Sequence, residues 1–129
     1  MLRLAFDRKN RVLRVSVSGI FASEDLEACD HAVIEFIARE GQVRGIYDYS
    51  AVEAFALPQS RIIQRAQQPA IVREERVMVA SRAAGDEALR DYSRYQTEAG
   101  ERESLIVDNL EEAYAVLRLR NPHFEPVER

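Results

Sequence analysis

The stretch Val43–Ser50 constrains the fold most, because it is a strand pattern with a helix pattern on either side. Before it, residues 23–40 put Leu26, Cys29, Val33, Phe36 and Ile37 on one face at helical spacing. Ser23 reads as the N-cap of that helix, with Glu24, Asp25 and Glu27 in its first turn and Gly41 as its stop. After the strand, Ala51–Leu57 reads as a loop. Pro58 suits a first helical turn, and Ile62, Ile63 and Ala66 continue a short helix that ends before Pro69. Strands joined through helices pair in parallel by crossover connections.

The remaining segments extend this plan. Leu2, Leu4 and Phe6 alternate with Arg3 and Ala5, and Leu13, Val15 and Val17 alternate with Arg14 and Ser16. Two half-buried strands, 2–6 and 11–17, linked by the polar Asp7–Asn10, form an antiparallel hairpin. Ser18–Ala22 then turns the chain. Residues 76–80 and 105–107 are apolar in both parities, as in strands covered on both faces. Between them, 85–98 is a helix with Leu89, Tyr92 and Tyr95 inward and Asp86–Arg90 and Arg94–Glu98 as outer ion pairs. Asn109 caps a last helix, with Glu112 as its capping-box partner and Leu110, Ala113, Tyr114 and Leu117 inward.

The expected fold class is therefore α/β. It has a mixed sheet of four to five strands, an N-terminal antiparallel hairpin followed by parallel β-α units, and helices mainly on one face. Residues 1–120 make a single domain and 121–129 a tail of low order. The apolar second face of the strands at 76–80 and 105–107 needs a cover. The tail or a second subunit could supply it, which motivates an expected homodimer.

Composition narrows function by exclusion. A chain of 129 residues, 47% hydrophobic and 31% charged, can bury one ordinary core. Its net charge, 18 − 22 = −4, opposes binding to nucleic-acid phosphates or to an anionic membrane. No apolar run is long enough to span a bilayer, and the first residues are a strand pattern rather than a signal peptide, so a cytoplasmic location is expected. The single cysteine, Cys29, excludes an intrachain disulfide and a thiolate metal cluster; its place is a helix face in the core. His31 falls off the apolar stripe of its helix and His123 lies in the tail, so the two histidines form no metal site. Glu74 and Glu75 point opposite ways, and no phosphate loop, nucleophile elbow or HExxH motif occurs. No catalytic residue, cofactor or metal is assigned, and the chain is read as a non-enzyme.

In an open parallel sheet, ligands and partners meet the carboxyl ends of the strands. That rim comprises Asp48, Tyr49, Ser50, Ser81, Arg82, Asp108 and Asn109. It could bind an anion at a helix N-terminus, or Asp48 and Ser50 could simply close a turn on the loop backbone. Tyr47 and Tyr49 share a parity, so both rings lie on one sheet face, as an aromatic platform for a ligand or partner or as core.

The order of elements, together with Asp48-Tyr49-Ser50-Ala51-Val52, resembles the SpoIIAA-like fold of anti-sigma-factor antagonist (STAS) domains. The segment looks like the family's Asp-Leu-Ser-Gly-Val at the end of the third strand. Gly19 stands where such domains carry a glycine before the first helix, and Phe55 suits a following apolar position. The departure comes next. Regulated members carry Asp-Ser-Ser-Gly at the start of the following helix, with a phosphorylated serine; this chain reads Leu57-Pro58-Gln59-Ser60, in which only Ser60 offers a hydroxyl. The resemblance implies a divergent, non-enzymatic regulatory or protein-interaction domain without the phospho-serine switch. Its partner would be a protein such as an anti-sigma-factor-like regulator. The contact surface would comprise Asp48, Tyr49, Ser50, Phe55, Pro58, Ser60, Ser81 and Arg82. A small-ligand or lipid-tail sensor of the same fold is the alternative, motivated by the weakly covered sheet face beside Tyr47 and Tyr49.

Overall fold

The structure, a computed structural model, describes residues 1–128; Arg129 lies outside the described residues. Strands β1 (Leu2–Asp7) and β2 (Val12–Ala22) form the antiparallel hairpin. Helix α1 (Ser23–Glu40) leads into β3 (Arg44–Ala56), α2 (Gln59–Ala66) into β4 (Arg76–Val79), and α3 (Glu87–Glu98) into β5 (Leu105–Val107). Each of these strands lies parallel to the one before it. Helix α4 (Leu110–Val116) and a short strand β6 (Glu125–Pro126) complete the chain. The sheet order is β5-β4-β3-β2-β1-β6.

The sixth strand comes from the segment expected to be a tail. It pairs antiparallel with β1, and the Val127 N–H donates to the Leu4 carbonyl at 2.9 Å. Asp7, only 2% exposed, ties this segment down. Its carboxylate accepts from the His123 backbone N–H (3.1 Å) and from the Asn10 backbone and side-chain amides (3.0 and 2.7 Å). Burial alone would raise the Asp7 pKa, but these hydrogen bonds outweigh it and the net shift is downward.

The sheet is covered on both faces. Leu4, Leu13 and Val15 pack with Val33 and Phe36 of α1. The opposite parity, Val12, Ile46, Val77 and Val79, packs with Ala113 of α4 and Leu117 at its C-cap. The second face of β4 is thus covered from within the chain, whereas Leu105 of β5 stays 45% exposed. Arg14 on that face donates to the Tyr114 hydroxyl at 2.9 Å and lies over the Phe124 ring, which itself stacks on Tyr114.

The main departure from the sequence reading lies in the middle of the chain. Ser18–Ala22 is not a turn, and of Ala51–Leu57 only Leu57 lies outside the strand. Both segments continue their strands as a two-stranded ribbon, with Gly19 opposite Val52 and Phe21 opposite Phe55. Two register shifts make this possible. Ser16 faces Asp48 but Ser18 faces Ala51, and Gly19 faces Val52 but Ile20 faces Ala54. Strand β3 therefore carries two extra residues, one in each bulge. Each bulge inverts the parity, so Val52 between them is buried while Tyr47, Tyr49 and Phe55 remain on one face. Gly19 sits at φ +80, a conformation that glycine adopts without penalty.

Helix ends also differ in detail. Ser23 lies inside α1; the cap is Ala22, whose N–H donates to the Asp25 carboxylate at 2.8 Å. Asn109 does cap α4, its side chain accepting from the Glu112 N–H at 2.9 Å. Asp86 pairs with Arg90 at 3.2 Å as expected, whereas Arg94 turns to Asp91 rather than Glu98.

Candidate functional site

The predicted site residues separate into three groups. The first closes the end of β3 and β4. The Asp48 carboxylate, buried, accepts from the Ser50 N–H at 3.0 Å, which is an Asx turn. Ser81, also buried, donates its hydroxyl to the Val52 carbonyl at 2.6 Å and accepts from the Ala84 N–H at 2.8 Å. The Arg82 N–H donates to the Ser50 carbonyl at 3.3 Å while its side chain is exposed. These groups satisfy one another, so this part of the rim builds the loop.

The second group holds the ribbon in place. Tyr49 and Phe55 meet Phe21 edge-on, with centroids 5.6 and 6.1 Å away, and each other at 5.7 Å. Such aromatic pairs add stability beyond their buried area. The third group lies at the ribbon tip and the start of α2. Pro58 caps the helix with φ −61, and Ser60 is exposed in its first turn. On the outer side of the ribbon, Ile20 is 61% exposed opposite an exposed Ala54. On β3, strand β4 pairs only with Gly45–Asp48, so it does not cover the far edge of β3 at residues 53–56.

Behind the aromatic cluster, between the sheet and α1, α2 and α3, lies a cavity of about 80 Å³. Its walls are Tyr47, Tyr49 and Met78 from the sheet, Cys29 and Asp30 from α1, Ile62 and Arg65 from α2, and Leu89, Tyr92 and Gln96 from α3. Arg76 and Ser104 also line it. The expectation that Tyr47 and Tyr49 share a face is met. Burial pushes the hydroxyls of Tyr47, Tyr49 and Tyr92 above the ordinary tyrosine range, so all three are neutral at physiological pH.

Two arginines border this space, and sequence reasoning singled out neither. Arg65, on α2, donates its Nε to Asp30 Oδ2 at 2.7 Å and its Nη2 to Oδ1 at 3.4 Å. Burial opposes its charge, but the hydrogen bonds and ion pair to Asp30 outweigh it and its pKa lies above the usual guanidinium value. Arg76 is 5% exposed. It donates Nε to the Ser104 hydroxyl at 3.0 Å, Nη1 to the Val72 carbonyl at 2.7 Å, and Nη2 to the Arg102 carbonyl. No carboxylate lies within ion-pair distance of it among the described residues, and burial pulls its pKa down. The available signal was parity: Arg76 and Met78 share the inward face of an apolar strand, where a charge needs a reason.

Among the described residues, no cluster of three His, Cys, Asp or Glu could hold a metal ion, and no helix is long and apolar enough to cross a membrane. No protein-family model matches the sequence, and no curated protein matches it. The solved structure of the anti-sigma factor antagonist SpoIIAA in its unphosphorylated form does match in three dimensions. The TM-score is 0.60 at 11% sequence identity, over 92% of this chain and 98% of that one. At that identity the likeness concerns the fold. The antiparallel hairpin, the parallel β-α units that follow it and this structural match together show that the chain has the SpoIIAA-like fold.

Proposed function

We propose that the chain is a non-enzymatic regulatory domain that binds another protein through the tip of the β2–β3 ribbon and the start of α2. The partner would be a regulator of the anti-sigma-factor kind, by analogy with SpoIIAA, and the setting the cytoplasm. The carrying observation is the ribbon tip: exposed Ile20 and Ala54, a β3 edge uncovered by β4, and Pro58 and Ser60 exposed just after the strand. An apolar side chain beside an unpaired strand edge suits an extended segment that adds to the sheet. Asp48, Ser50 and Ser81 shape that tip from behind, while Tyr49 and Phe55 stiffen it. Ser60 presents no acidic neighbour of the Asp-Ser-Ser-Gly kind, so binding here needs no phosphorylation. Affinity capture from the native host tests this: wild type retains a specific partner and the Ile20→Glu/Ala54→Glu variant loses it. Equal recovery by both would refute the assignment of the surface.

A second reading rests on a different observation, the cavity behind Tyr47 and Tyr49. A void lined by aromatic and aliphatic side chains with a few polar groups has the character of a small-molecule site. In that reading the domain senses a ligand. Native mass spectrometry of gently purified protein checks it, since a sensor of this kind retains a bound small molecule and a bare protein mass counts against it.

A further inference from the structure

We propose that the cavity between the sheet and α1–α3 takes a small monocarboxylate with an apolar body, its carboxylate paired with Arg76. The inference rests on the small-ligand reading above and names the ligand's chemistry. Arg76 stands on β4 beside Met78 with its side chain inward, and it is 5% exposed. Its three hydrogen bonds all go to neutral acceptors: the Ser104 hydroxyl and the Val72 and Arg102 carbonyls. Those bonds fix the guanidinium in place but leave its charge unbalanced. The other buried cation on this cavity, Arg65, has its counter-ion in Asp30 at 2.7 Å. Glu101 acts on Arg76 only from beyond ion-pair distance, and its carboxylate is occupied by the Ala70 N–H at 3.2 Å.

A buried charge is costly unless something pairs with it, and a guanidinium fork matches a carboxylate. The cavity offers the place for that carboxylate. Beyond Arg76 the walls are mainly apolar, with Met78, Leu89 and the Tyr47 ring, and the charged pair among them, Arg65 and Asp30, is closed on itself, so the rest of the ligand is hydrocarbon or aromatic. Size follows from the volume. About 80 Å³ holds on the order of six water-sized groups, which suits a short-chain or aromatic acid and excludes a long acyl tail.

The test is a chemical-shift titration of the full chain with butyrate and benzoate, each against its neutral amide, butyramide and benzamide. The acids are expected to move the amides of Met78, Gln96 and Ser104 saturably, and to bind at least about tenfold tighter than the amides, as a charged hydrogen bond demands. Arg76→Gln is expected to abolish the difference between acid and amide. Because Arg76 also holds two backbone carbonyls, that variant could unfold, so Ala88→Leu on α3 serves as a second probe. It narrows the cavity from a partly exposed position and is expected to remove binding with the fold intact. Equal binding of acid and amide, or acid binding undiminished in Ala88→Leu, overturns the proposal. A neutral molecule found in native mass spectra would leave the sensor reading standing and defeat this inference alone. A bare mass with no binding of any probe would defeat both.

Discussion

Arg65 of α2 reaches across to Asp30 of α1 and closes on it at 2.7 Å, with the arginine side chain 7% exposed and the aspartate 25%. This pair fastens the short second helix to the first. Helix α2 has only eight residues and buries only Arg65 and Ala66, so propensity alone would not hold it. Removing one partner of a buried pair leaves the other charge stranded. Asp30→Ala is expected to cost about 2–4 kcal/mol, below the range for a fully buried pair because Asp30 is partly wet. Urea unfolding measures it; a loss under about 0.5 kcal/mol would show that the pair contributes nothing.

Gly19 offers a cleaner test of the ribbon. Its φ is +80 and no atom lies within 4 Å of where a Cβ would be, so Gly19→Ala carries a conformational cost without a steric one. A loss of about 1–2 kcal/mol is expected. Gly45 makes the contrast. A Cβ there would meet Val72 at 3.3 Å with ordinary backbone angles, so Gly45→Ala strains packing between β3 and the segment before β4. Thermal denaturation of both variants, with backbone shifts confined to residues 18–22 and 51–56 for Gly19→Ala, separates the two effects.

Asp7 predicts an acid dependence. Its folded pKa lies below the ordinary 3.8, so its contribution is present above that value and is lost as pH falls through the folded pKa. Asp7→Asn should destabilise the protein by about 1–3 kcal/mol at pH 7, because an amide must face the donors of Asn10 and His123. The gap between wild type and variant should close as pH drops below about 4. Denaturant midpoints across that range decide it, and a gap that stays constant would remove the carboxylate from the account.

Cover by α4 predicts a monomer. Leu117 is 1% exposed against Val12, Ile46, Val77 and Val79. Leu117→Ala is expected to cost about 2–5 kcal/mol. Sedimentation velocity of the wild type should give a single monomeric species, and a concentration-dependent dimer would mean that another surface pairs.

Much of the architecture was legible in the sequence. The helix over 23–40, the strands at 105–107 and after Gly41, and the Asn109 cap follow from spacing and capping chemistry and stand where expected. The ribbon was hidden because two bulges in β3 break the alternation at Val52, so the pattern reads as loop although both strands continue. The C-terminal strand was hidden because its anchor, Asp7, is 116 residues away from His123 in the chain. The site divided in the same way. Tyr47 and Tyr49 could be placed on one face from parity. Arg65 and Arg76 became meaningful only once three helices had closed over that face.

The most direct test of the binding surface is hydrogen–deuterium exchange on the complex with the captured partner. Protection is predicted in residues 18–22 and 50–60, with α4 and the β1–β6 edge exchanging as in the free protein. Protection centred on α4 or on β6, with the ribbon tip unchanged, would contradict the account.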